Sequence, residues 1–142
     1  MTPKFCIVYK CDIKVLEDYL NSWGNLIDKR IEIDDFNLQK FIDSNHIYIF
    51  TQMWMDIDTT NEILLKSPRF MFLNVEMLTE QKRLDQMIKF LRKDIHIIDY
   101  SEANIKWLCR AIVHYKINYT KKILWFPYQF NKDENDILSI PY

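Results

Sequence analysis

Short apolar runs alternate with amphipathic stretches along most of the chain. Lys4 to Tyr9, KFCIVY, reads as a buried first strand, and Asp12 is placed to cap a helix carrying Val15, Leu16, Tyr19, Leu20 and Trp23, which Gly24 ends. RIEI at 30–33 alternates like a brief strand, and Asp34 or Asp35 can cap a helix bearing Phe36, Leu38, Phe41 and Ile42. HIYIFTQ at 46–52 predicts the next strand. A polar, irregular stretch with one short helix follows it and stops at Pro68. RFMFLNVE at 69–76 predicts a strand, and the helical pattern after Thr79 places Leu84, Met87, Ile88 and Leu91 on one face. HIIDY predicts another strand. Ser101 and Glu102 then open a helix with a buried stripe of Ile105, Leu108, Cys109 and Ile112, and KKILWF at 121–126 is the last strand, stopped by Pro127.

Strands alternating with amphipathic helices need crossover connections. The pattern therefore predicts an α/β fold: a Rossmann-like, doubly wound, mostly parallel sheet with helices on both faces. A length of 142 residues suits one domain, taken as 1–130, with an acidic tail over 131–142. Hydrophobic residues make up 49% and charged residues 27%, which excludes a disordered chain. The net charge of −1 provides no global basic field, so neither nucleic acid nor a membrane is expected as a partner unless Lys and Arg cluster in space.

Cys6, Cys11 and Cys109 are odd in number and lack CxxC spacing, which argues for reduced thiols, no metal site and a cytoplasmic setting. Gly24 is the single glycine. Dinucleotide fingerprints and P-loops need several, so no cofactor is expected, and any nucleotide would rest on side chains or helix N-termini.

In open parallel sheets, ligands bind beyond the carboxyl ends of the strands. The polar and aromatic groups expected there form the candidate ligand-binding cleft: Gln52, Trp54, Asn74, Glu76, Asp99, Tyr100, Ser101 and Tyr128. Each also has a plainer structural use. Ser101 suits a helix N-cap, Asp99 can accept local N–H bonds, and Trp54 and Tyr128 can cover core instead of stacking on a sugar or base. Glu76 directly follows an apolar strand, where an acid is costly to bury unless paired or used. His46, His96 and His114 have no metal-ligand spacing.

The segments QMW, FLNVEMLT, IIDYSEANI and FPYQFNKDE together resemble, in order and spacing, the N-terminal half of glycosyltransferase-like proteins of large DNA viruses. That family tends to read Asn-Thr-Glu-Gln-Leu-Thr, Asp-Tyr-Ser-x-x-Asn and Pro-Tyr-x-Tyr-Asn. The matching positions are Asn74, Glu76, Thr79, Asp99, Tyr100, Ser101, Asn104, Pro127, Tyr128 and Asn131, while Val75 and Met77 stand where Thr and Gln are usual. The resemblance implies the acceptor-side Rossmann-like domain of a two-domain, GT-B type glycosyltransferase, without the domain that holds the nucleotide-sugar donor.

The resulting expectation is a stand-alone or truncated glycosyltransferase-like domain that acts as a non-catalytic binding or interaction module. One alternative is an active nucleotide-sugar-dependent enzyme, with Glu76 or Asp99 as general base, completed by a missing domain or by homodimerisation. Another is a viral interaction factor that docks a protein through exposed Trp23, Trp54 or Ile140-Pro141-Tyr142. Sugars, glycans, nucleotide-sugars and proteins are thus the expected partner classes.

Overall fold

The computed structural model describes residues 4–10, 14–51 and 60–127. Six strands, β1 (Phe5–Tyr9), β2 (Ile27–Glu32), β3 (Ile47–Thr51), β4 (Phe70–Asn74), β5 (His96–Asp99) and β6 (Ile123–Trp125), form one sheet in the order β2-β1-β3-β4-β5-β6. Every pairing is parallel. The helices between them are α1 (Lys14–Asn21), α2 (Leu38–Asp43), α3 (Glu62–Lys66), α4 (Gln81–Arg92) and α5 (Glu102–His114). The fold is α/β, Rossmann-like and doubly wound. Strand order reverses between β1 and β3, the topological switch point.

Alternation along the strands sorts the core into two layers. Ile7, Ile49, Leu73 and Ile98 pack with Leu16, Tyr19, Leu20 and Trp23 around α1 on one face. Cys6, Val8, Phe50, Phe72 and Ile97 point to the other face, where Phe41, Leu64, Leu65, Met87, Phe90, Leu91, Leu108 and Ala111 supply the inner sides of α2 to α5. Trp23 is thus core, 7% exposed, and offers no docking surface.

Some elements depart from the sequence pattern for identifiable reasons. β2 begins three residues earlier than RIEI suggests. It is an edge strand, so its charged Asp28, Lys29 and Arg30 stay exposed while the backbone still pairs, with an irregularity that leaves Asp28 unpaired between Ile27 and Lys29. The cap of α2 is Asn37, whose side chain accepts the Lys40 N–H at 2.8 Å, because Ile33–Asp35 forms a 3-10 turn of its own.

The inward stripe of α5 is Asn104, Leu108 and Ala111, and Cys109 is exposed rather than core. Asn104 holds the helix in that phase through buried hydrogen bonds, and a reading of apolar positions alone rotates the face by one residue. Two helix ends also lack the usual glycine: Asp94 after α4 and Lys116 after α5 adopt left-handed φ of 56° and 53°.

Candidate functional site

β4 and β5 end side by side, with Asn74 paired to Asp99 in the ladder. Their side chains continue that pairing beyond the backbone. Asn74 Nδ2 donates to Asp99 Oδ2 at 2.8 Å and to the Glu76 carbonyl at 2.8 Å. Asn104 Nδ2, from the first turn of α5, donates to Asp99 Oδ1 at 3.1 Å and to the same Glu76 carbonyl at 2.9 Å. Asn104 Oδ1 accepts the Leu78 N–H at 3.1 Å, and Asp99 Oδ1 also takes the Ser101 N–H at 2.9 Å. Asn74 and Asp99 are fully buried and Asn104 is 2% exposed.

The arrangement clamps the β4–α4 loop onto the start of α5. Burial pushes the Asp99 carboxyl above its ordinary value, opposed by hydrogen bonds from Asn74, Ser101, Asn104 and the Tyr100 N–H. Those donors occupy both carboxylate oxygens. Asp99 therefore has the surroundings of a structural acceptor, with both oxygens hydrogen-bonded inside the fold and no solvent contact. The two amide hydrogens of Asn74 face acceptors, which fixes the amide orientation and leaves its buried Oδ1 without a partner among the described residues.

The other candidates separate from this network. Ser101 caps α5, its Oγ accepting the Asn104 N–H at 3.2 Å. The Tyr100 ring is half-buried against Tyr19 on the α1 face, and burial raises its hydroxyl pKa, with a smaller contribution from the Asp99 charge. The Tyr100 carbonyl accepts Trp125 Nε1–H at 3.1 Å. Glu76 keeps its carboxylate at the surface, 40% exposed and ion-paired with Arg83. Gln52, Trp54 and Tyr128 lie outside the described residues.

At the switch point itself, Thr51 is buried and its Oγ1 donates to the Val8 carbonyl at 3.3 Å. Neither the sheet edge nor any other region brings together three His, Cys, Asp or Glu side chains fit to hold a metal ion, among the described residues. No described helix is long and apolar enough to cross a membrane.

Sequence reasoning missed the Leu78 N–H as part of this edge. Thr51 was visible as a polar residue closing an apolar run, but the Leu78 contact depends on a loop path that no spacing encodes.

The chain is similar to parts of two viral proteins. An uncharacterized protein of Acanthamoeba polyphaga mimivirus is 35% identical over 145 aligned residues, covering 100% of this chain and 18% of that protein. A second uncharacterized protein of the same virus is 31% identical over 110 residues, covering 77% of this chain and 11% of its own length. The chain thus spans less than a fifth of either curated relative. No family model matches it, and no solved structure does.

Proposed function

We propose that this chain is a glycosyltransferase-like Rossmann domain that acts as a binding module, without transfer chemistry of its own. The observation that carries the reading is the state of Asp99: the acid at the centre of the strand-end edge is buried, and both its oxygens accept hydrogen bonds from Asn74, Asn104 and the Ser101 N–H. A general base must reach the acceptor hydroxyl, and Asp99 is fully buried with both oxygens already accepting hydrogen bonds inside the fold. Val75 and Met77 support the same reading, since they put apolar side chains beside that edge, Met77 being 47% exposed. Similarity confined to a small part of two long viral proteins fits a module that serves inside larger assemblies of domains.

A second reading rests on Glu76, whose exposed, Arg83-paired carboxylate lies just past β4. In a longer protein, or against a partner copy, it would act as the base that deprotonates a sugar hydroxyl in an inverting displacement.

One experiment separates the two. The purified chain is screened by thermal shift against UDP-, GDP- and TDP-sugars and the free nucleotides, with hydrolysis of each sugar followed in parallel. The module reading expects no nucleotide-sugar shift and no hydrolysis above buffer. A shift with hydrolysis that Glu76→Gln abolishes would establish the enzyme reading in its place.

A further inference from the structure

The net charge of −1 conceals a strong internal division. Residues 82–122 hold ten Lys and Arg against four Asp and Glu, whereas the rest of the chain holds nine against sixteen. One of those four acids, Asp99, is buried at the opposite edge of the sheet.

The topology concentrates the excess. Parallel strands all begin at one edge, so α4 and α5 both deliver their C-terminal ends to the edge where β5 and β6 start. Two bonding sets lock the incoming loops together. Asp94 accepts the Thr120 N–H at 2.8 Å, the Thr120 hydroxyl at 2.5 Å and the Lys121 N–H at 3.2 Å. The Tyr119 hydroxyl contacts the Ile95 carbonyl at 2.7 Å and the Lys122 carbonyl at 2.9 Å. Arg92, Lys93, Lys116, Lys121 and Lys122 therefore share one surface.

Their charges are poorly balanced. Among the described residues, Lys93 reaches Glu62 at 4.0 Å, and Arg92, Lys116, Lys121 and Lys122 have no carboxylate within ion-pairing distance. Asp94, the one acid at the centre of this edge, spends both oxygens on Thr120 and Lys121. Basic residues at helix C-termini offset the helix dipole, which accounts for Arg92. No dipole calls for Lys121 and Lys122 at the start of a strand. Their repulsion is felt locally: His96, whose Nδ1 accepts the Lys122 N–H, has its pKa lowered first by burial and then by these two lysines.

Beside this basic edge, at the end of α5, Tyr115 is 44% exposed, with the His114 ring edge-on at 4.7 Å. Cations that track phosphates, together with an exposed ring that can stack on a base, are the two parts of a single-strand binding surface. We propose that the edge formed by Arg92, Lys93, Lys116, Lys121 and Lys122, with Tyr115 beside it, binds single-stranded nucleic acid. The site lies across the sheet from the Asn74–Asp99 network and is independent of the function proposed for that edge. Recognition is of the backbone and of base faces, without sequence preference.

The test is fluorescence anisotropy of the full chain with a labelled oligo-dT or oligo-U of about 20 nucleotides, near 50 mM salt and upward. Binding is expected to weaken with salt at a log–log slope of about −2 to −3, as for three or four phosphate contacts on a single strand. Reversing Lys121 and Lys122 to Glu should weaken it at least tenfold, and Tyr115→Ala about fivefold or more. Lys40→Glu, on α2 away from this edge, should leave it unchanged, and the melting temperature of each variant reports that it is folded.

Absence of binding at 50 mM salt would overturn the proposal. So would competition by polyglutamate as effective as by the oligonucleotide with Tyr115→Ala neutral, since that outcome assigns the edge to acidic protein segments.

Discussion

β5 is four residues long and carries an aspartate at or near each end, and the two behave in opposite ways. Asp99, at its carboxyl end, is buried and takes its hydrogen bonds largely from two side-chain amides. Asp94, two residues before the strand, is half-exposed and takes its bonds from Thr120 and the Lys121 backbone. Both tie a loop to a neighbouring element. For Asp99, burial is the dominant influence and raises the pKa despite four donors. For Asp94, burial also pushes upward, but the Thr120 and Lys121 bonds and the Lys121 charge outweigh it and hold the carboxyl below its usual value. The same residue type, used for the same task, is costly in its charged form at one end and favoured at the other, and solvent access makes the difference.

The largest effect expected from this contrast is on stability. Asp99→Ala leaves one amide hydrogen each of Asn74 and Asn104, together with the Ser101 N–H, without an acceptor, and should cost about 3 kcal/mol in urea denaturation. Asp94→Ala leaves its donors open to water and should cost about 1 kcal/mol. Equal losses would remove the contrast. Asn104→Leu should fall between them, at about 2 kcal/mol, because a side chain of similar size leaves the Leu78 N–H without a partner and Asp99 Oδ1 with the Ser101 N–H alone.

The pH dependence is the smallest effect and separates the two acids by sign. Asp94 has a lowered folded pKa, so its contribution is present above the unfolded value near 3.8 and is lost as pH falls below it. Wild type should therefore lose its advantage over Asp94→Asn on acidification. Asp99 has a raised folded pKa, so the folded state holds its proton longer than the unfolded chain. Wild-type stability relative to Asp99→Asn should decline as pH rises through the interval just above 3.8. Parallel pH profiles for both variants would contradict the assignment.

Most of the fold was legible because strand and helix periods are strong in this chain. KFCIVY, HIYIF, FMFL and HIID show buried strands directly, and Leu16, Tyr19, Leu20 and Trp23 mark the inner face of α1. What escaped were features in which polar groups set the geometry. Asn104 turns inward because it completes the Asp99 network, and that rotates Cys109 outward. The edge strand β2 was shortened because its first residues, Ile27 to Lys29, lack alternation at a position that needs none on its exposed side. In the candidate site, Asn74, Asp99 and Ser101 were found by their place after apolar runs and Asn104 by the family resemblance, and they do come together. Their roles were not legible, because whether an acid at a strand end is free or hydrogen-bonded inside the fold depends on amides brought in from the end of β4 and the first turn of α5.

Thiol chemistry checks the corrected phase of α5. In a Cys11→Ser background, Cys109 should react with a disulfide reagent in the native state. Cys6 should react only on unfolding, since it is fully buried and burial pushes its thiol up to about 11. Two thiols reacting at equal rates in native buffer would show that the helix face has been misplaced.

The central claim is that Asp99 and Asn104 act as one structural unit at the strand ends. A double-mutant cycle of Asp99→Ala and Asn104→Ala, with unfolding free energies from urea titration, measures that coupling directly. A coupling of about 1–2 kcal/mol is the predicted result. Additive losses, with a coupling within about 0.3 kcal/mol of zero, would mean that the two side chains do not support one another and that Asp99 is not committed to the fold.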